Sequence, residues 1–152
     1  MSSIQAIQAE LIAVYEAITL PHTLGAPTGY KHEPKGGFGE SQLPAVIVTR
    51  SIQLNTQALS SEDRLVSRQF IVDLYAYPLA DNDPVNATAK NNTSDCISSV
   101  LNAFKNIHGL NTSGVLSHEI TSDTSDVPLY SRDNTRKYIG ARFRHEVTYW
   151  QI

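Results

Sequence analysis

Residues 137–152 read K-Y-I-G-A-R-F-R-H-E-V-T-Y-W-Q-I, and charge alternates with apolar side chains through most of the run. In an extended chain Ala141, Phe143, His145, Val147 and Tyr149 share one side, while Arg142, Arg144 and Glu146 share the other. A half-buried strand reconciles the two sets, so this chain must build a sheet with one packed face. The apolar side is expected to face a helix carrying Val100 and Phe104. Trp150 and Ile152 fall on the charged side. Two large apolar groups there call for a cover, from this chain or from a partner.

The other elements follow from periodicity. Ile4, Ile7, Leu11, Val14 and Ile18 recur at helical steps behind a capping Ser2 or Ser3, and Pro21 ends the helix. Residues 21–43 hold five of the eight glycines and read as a long Gly/Pro-rich loop, ordered by function or by a partner. Its G-G-F-G run lacks the spacing of a phosphate loop. Residues 45–49, A-V-I-V-T, are strand-like, and Ile52 and Leu54 extend them. Residues 55–64 are polar and turn-like. Residues 65–77 form a longer strand that pairs back as a hairpin. Asp83-Pro84 marks a helix start, and Cys96, Ile97, Val100, Leu101, Phe104 and Ile107 make its apolar stripe. Lys105 and His108 suit its last turn, and Gly109 its stop. Residues 115–121 read as a strand, 122–137 as a polar excursion with an extended middle near 127–130, and 138–150 as the closing strand.

The expected fold class is therefore α+β: an antiparallel sheet of about four main strands with helices packed on one face, in the order helix-hairpin-helix-hairpin. All 152 residues form a single domain.

Composition narrows the function. Twelve Lys and Arg stand against 15 Asp and Glu, a net charge of −3, which is no general footprint for nucleic acid. One cysteine, Cys96, forbids an intrachain disulfide and fits a reducing compartment. The start, M-S-S-I-Q, has no leader pattern, and no stretch approaches roughly 18 continuous apolar residues. A cytosolic protein, or one assembled from cytosolic parts, is expected.

Chemistry-bearing patterns are weak. His22, His32, His108, His118 and His145 include no pair at metal-ligand helical spacing, and no Cys-x-x-Cys exists. His118 and His145 are each followed by a glutamate, but neighbours on a strand point to opposite faces. His145 reads as a buried, hydrogen-bonded histidine rather than a ligand. Asp81, Asp83, Asp123 and Asp126 lack the glycine and glutamate of a calcium loop and read as turn and cap residues. Cys96 reads as a packed thiol. No catalytic residue, metal or cofactor is assigned.

The strings L-P-A-V-I-V-T at 43–49, F-I-V-D-L-Y-A-Y at 70–77, V-L-N-A-F at 100–104 and Y-I-G-A-R-F-R-H-E-V-T-Y-W at 138–150 together resemble the tail terminator (tail completion) proteins of long-tailed phages. Related minor tail and neck proteins share the pattern. The likeness covers most of residues 43–150 and the first helix, and the loop at 21–43 departs from it. It implies a non-enzymatic virion protein, assembled in the host cytoplasm. Such a protein forms a ring, commonly a hexamer, that caps the tail tube and joins tail to head. Its partners would be copies of itself, the tail tube protein and head-tail connector proteins, with no membrane and no sequence-specific nucleic acid. The contact elements expected are residues 53–66, 21–43 and 122–137. Within them and on the last strand, Phe38, Leu59, Arg64, Arg132, Arg136, Arg142, Arg144 and Trp150 are candidate interface residues. Two alternatives stay open. One is a small-molecule-binding or enzymatic α+β domain in which His118, His145 and Asp73 line a pocket. The other is a different head-tail connector or tube component.

Overall fold

The computed structural model describes residues 3–21, 25–58, 64–78, 87–112, 114–131 and 136–151. The elements run α1 (Ser3–Glu16), β1 (Thr28–Tyr30), a 3-10 turn (Glu40–Gln42), β2 (Ala45–Ala58), β3 (Arg64–Pro78), α2 (Ala87–Phe104), β4 (Val115–Tyr130) and β5 (Lys137–Gln151). The strands form one sheet in the order β1-β2-β3-β5-β4. β2, β3, β5 and β4 pair antiparallel, while β1 lies parallel to β2 through Thr28↔Ala45, Gly29↔Val46 and Tyr30↔Ile47.

This corrects the expected four-stranded antiparallel sheet and its helix-hairpin-helix-hairpin order. The sheet is mixed, with five strands among the described residues, and strand rather than helix dominates. The fifth strand comes from the segment read as loop. Three residues, T-G-Y, are too few to show a period, and a glycine in the middle argues against strand. Its reason is contact: a Cβ on Gly29 would run into the Ile12 side chain of α1.

The long strands also exceed the lengths read from pattern. β2 continues through the polar stretch to Ala58, and β4 extends to Tyr130. Polar sequence hides these extensions: Gln53 and Thr56 on β2 and Thr121, Asp123 and Thr124 on β4 are exposed, so no apolar alternation marks them. Bulges interrupt both strands: the register shifts between Thr49 and Ile52, and between Gln53 and Asn55, on β2. On β4 it shifts between Val115 and Ser117, Ile120 and Ser122, and Thr124 and Val127. Such shifts break a simple two-residue period. The helix start at Asp83-Pro84 lies outside the described residues. α2 ends at Phe104, so Lys105 and His108 lie past it, and the left-handed residue there is Leu110 (φ 50°) rather than Gly109.

Two cores result. α1 and α2 cover one face, where Ile7, Leu11 and Tyr15 meet Val46, Phe70, Leu74, Val100, Phe104, Phe143, Val147 and Tyr149. The apolar side of β5 faces α2 in this core, as its alternation requires. On the opposite face the Gly/Pro-rich segment folds back over one end of the sheet. It buries Phe38 and Leu43 against Ala45, Ile47, Tyr75, Leu129 and Tyr138. Phe38 lies with its ring centroid 5.0 Å from that of Tyr75 and 4.8 Å from that of Tyr30. The Phe38 carbonyl accepts hydrogen bonds from Tyr138 Oη at 2.8 Å and Arg136 Nη1 at 3.0 Å.

The sheet therefore has a closed end, clamped by Phe38, and a far end near Leu65, Tyr149 and Trp150. At the closed end, between β3 Tyr75 and Tyr77, a register shift lets Tyr75 face the second core while Tyr77 turns to the helix side. There Tyr77 Oη donates to the Pro21 carbonyl at 3.2 Å, and Cys96 Sγ donates to the same oxygen at 3.5 Å. Burial pushes the Cys96 thiol up, as befits a packed structural group.

Candidate functional site

At the far end the pairing puts four strands side by side. Leu65 of β3 pairs with Trp150 of β5, and Ser67 with Thr148. Leu116 of β4 sits in the shift beside Tyr149 and Thr148, and Leu54 of β2 in the shift beside Ser67 and Arg68. Three of these are the large apolar residues that water reaches most easily at this end: Leu116 is 50% exposed, Leu54 48% and Trp150 36%. Single exposed leucines are ordinary, but here they occupy adjacent rows of one sheet end, on three strands. A bulge residue escapes the alternation that would bury it, which is how Leu54 and Leu116 come to face water. The Trp150 amide donates to the Gly114 carbonyl at 2.9 Å, so the backbone that carries the indole is held to the turn before β4.

The face behind this rim is polar. Ser67, Gln69, Arg144, Glu146 and Thr148 are half-buried, and Ser67 Oγ and Thr148 Oγ1 lie 2.9 Å apart across the strands. Glu119 and Glu146 stand directly opposite one another on β4 and β5. Like charges so placed oppose pairing, so the cross-strand match is not tuned for the subunit's own stability.

The candidate interface residues scatter in instructive ways. Trp150 belongs to the rim, and Arg64 pairs with Gln151 in the last row. Arg144 is half-buried on the open face. Arg136 is exposed at the closed end, with its guanidinium on the Phe38 carbonyl. Phe38 is buried and holds the second core. Arg142 is engaged within the subunit: its Nε and Nη2 donate to Asp73 Oδ1 at 2.7 Å and Oδ2 at 3.3 Å. That pair holds the Arg142 guanidinium proton more tightly than usual. Reversing Arg142 would set a carboxylate against Asp73, so Arg144 is the cleaner probe of the open face. Leu59 and Arg132 lie outside the described residues.

His145 is buried and hydrogen-bonded, as its sequence reading expects, and its partners are Tyr15 and His118. His118 and His145 converge on the helix side, with Nε2 of His118 and Nδ1 of His145 2.7 Å apart. Asp73 is on the opposite face with Arg142, so the three do not line one pocket. The proton order can be deduced. The Ile107 carbonyl only accepts, so His118 Nδ1, 3.1 Å away, carries a proton. In a neutral ring His118 Nε2 then accepts from His145 Nδ1–H, and His145 Nε2 accepts from Tyr15 Oη at 2.6 Å. Every ring nitrogen is used within the fold. Burial, then the neighbouring His118, pushes His145 down to about 3. Burial also lowers His118, against the pull of the Ile107 carbonyl and Glu119. Among the described residues no group of three or more His, Cys, Asp or Glu is placed to hold a metal ion.

No protein-family model matches the chain, and no curated protein matches it either.

The sequence reading missed the rim leucines because Leu54 and Leu116 owe their exposure to bulges. It missed Tyr15 as a partner of His145 because 130 residues separate them. An apolar residue beside serine and asparagine, as in Q-L-N and V-L-S, is the only local signal, and it is weak.

Proposed function

We propose that this chain is a structural subunit of a phage virion, of the kind that forms a ring capping the tail tube and joining it to the head. The rim of Leu54, Leu116 and Trp150 carries this reading. A soluble subunit that presents apolar side chains along one sheet end, backed by a polar face, has the composition of a docking surface. The indole of Trp150 is the natural anchor, since tryptophan is enriched among the residues that dominate binding energy. The tail tube or the head-tail connector is the partner assigned to this rim. The resemblance of the strand-helix-strand strings to tail terminator proteins supplies the biological setting.

The rim is testable without disturbing the fold. Leu54→Ser with Leu116→Ser removes two exposed groups whose replacement moves stability by little. Binding of the double variant to the tail tube protein of the same phage should weaken at least about tenfold, the scale of one modest hot spot. The melting temperature should stay near that of the parent. Parent-like binding would remove the rim from the interface.

A further inference from the structure

Among the described residues the two outer edges of the sheet differ in charge, and each has an unpaired stretch. β1 covers β2 only at 45–47, so among the described strands the outer side of 48–58 has no partner. β4 is paired on its inner side by β5 and has no described strand on its outer side. Unpaired N–H and C=O groups along such edges are templates for another strand. β4 carries Glu119, Asp123 and Asp126 and no lysine or arginine. β2 carries Arg50 and no acidic residue, and Lys31 follows β1 on the same edge.

We propose that copies of this chain join head to tail through opposite sheet edges, β2 of one copy alongside β4 of the next. This rests on the assembly reading above and gives it a geometry. A β4–β4 contact would set Glu119 and Asp123 against their own copies, and a contact between two β1–β2 edges would give the exposed Lys31 no acidic residue of β2 to meet. Only the mixed contact brings opposite signs together, and electrostatics acts here mainly by suppressing the wrong pairings. The bulges divide each edge into short regular runs, 52–53 and 55–58 on β2 and 117–120, 122–124 and 127–130 on β4, and Pro128 removes one donor. Short runs limit the contact to one register and oppose an endless ladder. A heterologous contact leaves one free edge of each kind at the two ends of any open assembly. Closure into a ring satisfies both.

Cross-linking tests the assignment. Thr56→Cys marks the β2 edge and Asp123→Cys the β4 edge, both exposed and both on the helix side of the sheet, where Thr56 pairs with Val66 and Asp123 with Phe143. The native Cys96 is buried, and the parent chain controls for it. With a short bis-maleimide, a mixture of the two variants should yield a cross-linked dimer, and either variant alone should yield none. A chain carrying both substitutions should give a ladder that stops at the ring number. Glu119→Lys, added to the Asp123→Cys chain, should lower the yield. Light scattering on the same samples separates the two levels of inference. An oligomer that cross-links within one variant, or in no combination, overturns the edge assignment alone. A monomer at every concentration overturns the assembly reading with it.

Discussion

Gly140→Ala is expected to lower stability by about 3 kcal/mol or more, the upper end for overpacking. For a chain of this size that is a fall of roughly 6–12 °C in melting temperature. Gly140 pairs with Tyr75 next to the β3 bulge, and a Cβ built there would overlap the Leu74 carbonyl oxygen. It would also press on Leu129 Cδ1 at 3.2 Å. The first obstacle is backbone of the central strand, with a strand on each side, and it cannot rotate away. Gly36→Ala is the control, because a Cβ there meets nothing within 4 Å. Thermal denaturation of both variants decides the matter. Equal melting temperatures would mean that β3 and β5 are not apposed as described.

Acid should destabilise the fold through the histidine chain, and the sign follows from the direction of the shifts. Both histidines are held neutral when folded, with His145 pushed down to about 3, whereas an unfolded histidine titrates near 6.5. Below pH ~6.5 the unfolded chain therefore binds more protons, and stability falls as pH falls. The stability these groups contribute is fully present above that pH and is lost toward the folded pKa values. For His145 alone the loss between pH 7.5 and 5 is about 2 kcal/mol, and His118 adds to it. The charged and titratable groups nearest the chain, Lys105, His108 and Glu119, lie beside His118 where the helix-side cleft opens to solvent. His145 is fully enclosed, between Tyr15, Phe104 and Phe143. His118→Gln with His145→Gln should flatten the acid limb of the stability profile, whatever it does at neutral pH. Denaturant titrations at pH 7.5 and 5 measure this. An unchanged difference between the two pH values would assign the acid sensitivity to other groups.

Sequence pattern revealed most where one face of a strand is buried. The β5 alternation set its own burial side by side, and the α2 stripe met it with Val100 and Phe104. Pattern failed where tertiary contact replaces periodicity. β1 has three residues and exists because Gly29 lets it pass beneath Ile12. Phe38, surrounded by glycines, read as an exposed contact, yet it is the plug of the second core. The polar stretches of β2 and β4 gave no apolar alternation to read, since Gln53, Thr56, Asp123 and Thr124 are all exposed. The His118–His145 contact needed the register Ile120↔His145 and His118↔Val147, which one sequence does not disclose. The open rim was partly legible: Trp150 at the end of an alternating strand already called for a cover. Its companions Leu54 and Leu116 depended on bulges that spacing alone does not mark.

The most direct measurement is the molar mass in solution, by light scattering across a wide concentration range, alone and with the tail tube protein. A closed ring predicts one multiple of the 16.7 kDa subunit that stays fixed as concentration rises. A monomer under all of these conditions, or a polymer that keeps growing with concentration, would contradict it.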